Sequence, residues 1–211
     1  MSERVEQFDG RTIVVFAKEP EPGAVKTRLT GRLDEREAAQ FYEAFLADIA
    51  ATIGRFDAEG PAGPRRLLAH AGDRSHEAFE PYREQGFDFV EQGEGDLGDR
   101  LARVTEGCFK TQTDKVVIVG TDSPTLQQRH LRGAFARLDD NDVVLGPSFD
   151  DGYYLIGLDG PHTTVFESID WSTRSVLEQT HRRCLEGELL CELLEFWYDI
   201  DNFRDLRRLR F

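Results

Sequence analysis

The chain is poor in cysteine, in lysine and in long apolar runs, and each shortage excludes something. Cys108, Cys184 and Cys191 are the only cysteines. An odd number with no Cys-x-x-Cys pair supports neither a disulfide framework nor a zinc site, and the five histidines are too dispersed to supply one. No apolar stretch approaches the length of a membrane span, and the opening residues MSERVEQFDG have no signal-like apolar region. The expectation is a cytoplasmic protein without a membrane span. Lysine is confined to Lys18, Lys26, Lys110 and Lys115, while Asp and Glu number 40 and the formal net charge is −14. Nucleic acid and anionic membranes are repelled by such an average field and are not expected partners. An acid-rich, lysine-poor surface also suits a high-salt cytoplasm, although a GC-rich genome produces part of the same bias.

What is present organises around residues 11–29, RTIVVFAKEPEPGAVKTRL, where two of the four lysines fall. Ile13, Val14, Val15 and Phe16 form a β-branched and aromatic run, as in a central parallel strand covered on both faces. Pro20, Pro22 and Gly23 then stop regular structure, leaving Lys18, Lys26 and Arg28 in a loop at the strand's carboxyl end. Ligands of open α/β sheets sit beyond that end, so gathered cations there imply an anion, with phosphate expected first; the alternative is a solvated basic loop. A Walker A loop is excluded, because Gly23-Ala-Val-Lys26-Thr27 lacks the paired glycines and the Gly before Lys.

With 211 residues and 39% hydrophobic content, one α/β domain over residues 1–211 is expected. Phe41, Phe45, Leu46, Ile49 and Ile53 recur with helical period, predicting a helix over 34–56. A loop over 60–64, a strand over 67–71, a helix over 73–83 and a strand over 87–90 follow. Gly93, Gly95 and Gly98 formally spell Gly-x-Gly-x-x-Gly before a helix over 99–109. Glu94 and Asp96 would repel a pyrophosphate, so this reads as a loop where backbone approaches a base or ribose, or as a plain tight turn.

Residues 116–120 form the densest apolar strand and end in Thr121-Asp122-Ser123-Pro124. Asp122 at the ligand edge could hold a hard divalent cation; the alternative is a helix start capped by Ser123 or Thr125, before a helix over 126–138. Residues 143–147 and 153–158 read as a hairpin whose Asp150 or Asp151 forms an acceptor-side wall. A helix capped by Ser172 or Thr173 runs to about Arg183. A last strand over 189–198 leads to Asp201 and Asn202, either an N-cap of a terminal helix or, for Asp201, a second metal ligand. The alternation of strands and helices predicts a three-layer α/β/α sandwich on a mainly parallel mixed sheet, with strands 13–17 and 116–120 adjacent at its centre.

These blocks in order resemble the nucleotide-diphospho-sugar transferase superfamily with the GT-A fold, in particular its small bacterial glycosyltransferase-A-like transferases. They are Phe16 to Leu29, Gly95-Asp96-Leu97-Gly98, Gly120 to Pro124, Gly146-Pro147 with Asp151 to Gly157, and Trp171-Ser172-Thr173. The first block is also similar to 2-phospho-L-lactate guanylyltransferase. The resemblance implies a GT-A-like fold and a nucleotide donor, NTP or NDP-sugar, with a small-molecule acceptor. It further implies Lys18, Lys26 and Arg28 on the donor phosphates, Asp151 in the transfer, and Gly95, Asp96, Leu97 and Gly98 on the nucleoside. Ala17, Gly23 and Thr121 complete the donor-binding set, and Asp122 holds Mg²⁺ or Mn²⁺. Two departures stand out. Phe149-Asp150 replaces an Ala-x-Asp-Gly-Gly context, and Asp201-Asn202-Phe203 replaces Asp-Thr-Pro, which weakens a metal role for Asp201.

Overall fold

A computed structural model describes residues 8–57 and 62–209. Seven strands form one sheet in the order β3-β2-β1-β4-β6-β5-β7. In chain order they are β1 (Phe8–Lys18), β2 (Gly63–Ala71), β3 (Asp88–Glu91), β4 (Lys115–Val119), β5 (Val143–Pro147), β6 (Tyr153–Leu158) and β7 (Cys191–Leu193). The expected neighbours are neighbours: Val15 of β1 stands opposite Val119 of β4 in a parallel pair. Only β6 runs against its partners, antiparallel to both β4 and β5. The hairpin therefore exists, and its turn brings Asp150 and Asp151 to the edge where β1 and β4 end.

Alternation along β1 builds the layers. Ile13, Val15 and Ala17 enter one core with α1 (Glu35–Gly54), α2 (Glu80–Glu84) and α4 (Gln128–Arg137). Val14 enters the other, with α3 (Leu97–Phe109) and α5 (Val176–Glu186). A sheet with helices on both faces is the three-layer α/β/α sandwich expected of a mixed, mainly parallel sheet. Helix α1 starts at a reciprocal cap: the Asp34 carboxylate accepts from the Glu37 N–H, and the Glu37 carboxylate from the Asp34 N–H, each at 2.8 Å.

Several sequence expectations are corrected. The helix over 73–83 shrinks to a 3₁₀ turn (Glu77–Phe79) and α2, because Asp73 folds back to accept the Ser75 N–H and Pro81 can only serve a helix start. The strand over 189–198 is only β7 plus one bridge between Ser148 and Trp197, a short edge strand paired on one side. The terminal helix is a 3₁₀ turn (Asp205–Arg208), and neither Asp201 nor Asn202 caps it; the Asp205 carboxylate instead accepts from both their backbone N–H groups. Helix α4 begins at Gln128 rather than after Ser123 or Thr125, whose hydroxyls are engaged elsewhere. Helix α5 begins after Ser175, and the Thr173 hydroxyl contacts Ser175 without capping. In the loop over 60–64, Gly60 and Pro61 lie outside the described residues, while Gly63 already belongs to β2.

Candidate functional site

The carboxyl ends of β1 and β4 are tied by one side chain. Tyr42, on α1, accepts from the Lys18 N–H and from the Thr121 hydroxyl, both at 3.0 Å. Burial pushes the Tyr42 phenol up to about 12, so it stays neutral and fixes both strand ends as a hydrogen-bonding group. Ala17 is core, and its carbonyl accepts from the Gln92 side-chain amide at 2.9 Å. The Lys18 side chain is exposed, and among the described residues no ion pair engages it.

The basic loop turns inward. Gly23 and Lys26 both have left-handed backbone, φ 82° and 47°, which is ordinary for glycine and strained for lysine. That turn buries the Lys26 side chain to 4% exposure and places its ammonium 2.6 Å from Asp122 Oδ1 and 3.3 Å from Asp201 Oδ1. The Ile200 carbonyl accepts from the same ammonium at 2.6 Å, and the Phe45 ring lies 5.3 Å away. Arg28 reaches the other oxygen of Asp201 at 3.1 Å. Lys26, Arg28, Asp122 and Asp201 thus form one cluster, although the sequence departure at Asp201 had counted against its taking part.

Behind Asp122 the Ser123 hydroxyl donates to Asp199 and approaches the Tyr198 carbonyl. Burial first, and then the charges of Asp122, Asp150 and Asp201, push the Asp199 carboxyl up to about 7 against the Ser123 hydrogen bond. The same causes, burial and then Asp122, raise Asp201, with Lys26 and Arg28 opposing. Asp122, Asp150, Asp199 and Asp201 therefore feel one another's charge at this edge, with Lys26 and Arg28 among them. The Asp122 side chain is itself 54% exposed, so its oxygens remain accessible. Sequence reasoning missed Tyr42 and Asp199; the spaced pair Asp199-x-Asp201 was the available signal for the second.

At the hairpin, Asp150 accepts from the Ser148 hydroxyl and from the Gly152 N–H. Asp151 is exposed with φ 68°, and its carbonyl accepts from the Leu177 N–H. The glycine loop has structural duties of its own. Asp96 caps α3, its carboxylate accepting from the Asp99 N–H at 2.9 Å. Gly95 has φ 103°, and a Cβ there would strike the Asp99 carboxylate. A Cβ on Gly98 would lie 2.5 Å from the Phe166 carbonyl and 2.9 Å from the Trp171 ring nitrogen. Leu97 beside them is 43% exposed.

The sheet order and its ligand edge define a GT-A-like fold of the nucleotide-diphospho-sugar transferase kind. By sequence the chain belongs to the family described as "Uncharacterized protein conserved in bacteria (DUF2064)", whose profile matches residues 58–173. No curated protein matches it in sequence. Among solved structures it is similar to a Desulfovibrio desulfuricans G20 protein provisionally named a nucleotide-diphospho-sugar transferase: 29% identity, 92% of this chain and 83% of that one, TM-score 0.79. At 13% identity it shares its fold with 4-diphosphocytidyl-2C-methyl-D-erythritolsynthase from Anaerococcus prevotii DSM 20548, over 95% of each chain, TM-score 0.59. Also at 13% identity is glucosyl-3-phosphoglycerate synthase from Mycobacterium tuberculosis, in complex with Mn²⁺, UDP and glucosyl-3-phosphoglycerate, over 94% of this chain and 75% of that one, TM-score 0.55.

Proposed function

We propose that this protein is a metal-dependent, nucleotide-using transferase that moves a nucleotidyl group from an NTP to a small phosphorylated or sugar-like acceptor. The observation that carries the reading is the convergence of Lys26, Arg28, Asp122 and Asp201 at the carboxyl edge of β1 and β4, the place where open α/β sheets bind ligands. The donor atoms there are all oxygens, two carboxylates and the Ile200 carbonyl, a set that fits a hard divalent cation and not a soft one. Asp122 would hold Mg²⁺ or Mn²⁺, with Asp201 as the second carboxylate. A bound ion would supply charge neutralisation on the donor's phosphate oxygens.

The chain's own residues divide the remaining work. Lys18 and Arg28, exposed at the strand end, draw the phosphates in; Lys26 stabilises the charge that develops on departing pyrophosphate. Tyr42 keeps Thr121 and the β1 terminus in register with Asp122, and the loop Gly95–Gly98 faces the nucleoside. Asp151 faces the acceptor and receives its hydroxyl proton. Pyrophosphate leaving a nucleoside triphosphate makes fuller use of three cations than a nucleoside diphosphate leaving a sugar does, which favours nucleotidyl transfer. The second reading, sugar transfer from an NDP-sugar, is favoured by the name of the 29%-identical relative.

Product analysis tests both. The protein is incubated with each NTP or NDP-sugar, Mg²⁺ or Mn²⁺, and a panel of phosphorylated and sugar acceptors. Pyrophosphate release supports the first reading, nucleoside diphosphate release supports the second, and donor binding without any metal-stimulated release overturns both in favour of a nucleotide-binding protein without turnover.

A further inference from the structure

We propose that Lys26 competes with the divalent cation for the same oxygens, so that metal binding frees the Lys26 ammonium for the donor's phosphates and couples the two ligands. This rests on the reading of Asp122 as a metal ligand. Two observations point to it. The Lys26 ammonium is surrounded by Asp122 Oδ1, the Ile200 carbonyl and Asp201 Oδ1, hard donors of the kind a divalent ion takes. It cannot occupy that position and also lie against a phosphate outside it. Its backbone is held at φ 47°, a conformation that L side chains adopt only where surrounding contacts compensate, and such strain collects at switch points.

The consequence is a linkage of definite sign. An ion that displaces Lys26 must break its ion pairs, so wild-type affinity for metal alone is reduced by the competition; a donor that attracts the freed ammonium restores that affinity, and the effect is reciprocal. Lys26 then acts as a positioning residue that reports metal occupancy to the donor side, in addition to its charge role.

The test has two arms on the full chain. Calorimetric titration with Mn²⁺ alone compares wild type, Lys26→Met and Asp122→Asn. The expected result is a dissociation constant roughly tenfold lower for Lys26→Met than for wild type, about 1.4 kcal/mol, and loss of the site in Asp122→Asn. The second arm needs no variant: acetylation of the wild-type amines is followed by mass spectrometry with and without saturating Mn²⁺. With only four lysines in the sequence, Lys26 is read against exposed Lys110 as internal standard. Labelling of Lys26 should rise several-fold with Mn²⁺ while Lys110 does not change. Unchanged Lys26 labelling, or unchanged Mn²⁺ affinity in Lys26→Met with the site still lost in Asp122→Asn, overturns the competition and leaves the metal reading standing. No Mn²⁺ binding in wild type overturns both.

Discussion

The two edges of this sheet treat charge in opposite ways. At the edge where β1 and β4 begin, charges are matched. Arg11 donates to Asp9 and to Asp57 at 2.9 Å each, and its guanidinium lies 5.7 Å and 5.3 Å from the Phe56 and Phe135 rings. Lys115 pairs with Asp139, and the buried hydroxyls of Thr12 and Thr113 meet at 2.9 Å. At the other edge, Asp122, Asp150, Asp199 and Asp201 face Lys18, Lys26 and Arg28, and burial first, then the charges of the other three carboxylates, raise Asp199 to about 7. A cavity of about 440 Å³ opens at the matched edge, lined by Arg11, Lys115, Arg132 and Asp139. Concavity alone would place function there; the site proposed here lies at the opposite edge, because a matched ion pair has little left to offer a ligand while crowded carboxylates gain from one.

The largest effect should come from the unmatched edge. Asp122→Asn keeps shape and removes the charge proposed to hold a cation, so turnover with saturating Mg²⁺ should fall about 10³-fold. Folding should be spared, with Tm within about 2 °C of wild type, since Lys26 is still held by Asp201 and the Ile200 carbonyl and its lost pair is offset by relief of repulsion among the carboxylates. Steady-state assays and calorimetric melts of the two proteins decide it; turnover within tenfold of wild type would remove Asp122 from the site.

Arg11→Met should break the other edge in the complementary way. It retains much of the apolar contact with Phe56 and Phe135 but takes the guanidinium from Asp9 and Asp57, which keep only the residue 11 N–H and Arg132 respectively, so stability should drop by about 1–2 kcal/mol, a Tm decrease of roughly 3–6 °C. Neither kcat nor the KM for donor should change. A variant that melts normally but loses turnover would show that the matched edge is functional after all, and the contrast drawn from charge would collapse.

Much of this contrast was legible in the sequence wherever it depended on near neighbours. The run Ile13–Phe16 and the run Val116–Val119 announced two buried parallel strands, and the Asp151-Gly152 turn announced the hairpin that makes β6 antiparallel, because apolar density and turn chemistry act over a few residues. The position of Asp122 followed from sheet topology. What escaped was pairing across the chain. Lys26 and Asp201 are 175 positions apart, and Ser123 and Asp199 are 76, so no local pattern could show that the basic loop folds onto acids, or that Ser123 serves Asp199 and not a helix. Tyr42 was hidden for a different reason: it sits on the apolar face of α1, where its ring satisfies the helical period and its hydroxyl goes unnoticed.

The smallest expected effect lies between the two edges, at His130 on α4, which is buried beside Trp197 yet charged-group-rich in its surroundings. Its Nε2 is 3.2 Å from a Glu195 oxygen but poorly aligned for a hydrogen bond, while its Nδ1 accepts from the Gln127 N–H at 3.0 Å. Accepting at Nδ1 assigns the proton to Nε2 and requires a neutral ring. Burial, and next Arg129, lower its pKa below the usual histidine value, against the pull of Glu195. The sign follows from linkage. Because the folded pKa is depressed, the unfolded chain binds the proton first as pH falls, so the stability that neutral His130 contributes is present above about pH 6.5 and declines below it, by at most about 1.4 kcal/mol per pH unit for one proton. Acidic residues common to both proteins cancel if wild type is compared with His130→Gln by urea denaturation between pH 7.5 and 5.5. The wild type should lose stability relative to the variant across that interval, with no difference in metal response. Parallel profiles would mean that Glu195 compensates the imidazolium fully, which would make this site a matched pair of the kind found at the β1 entry and not an intermediate between the two edges.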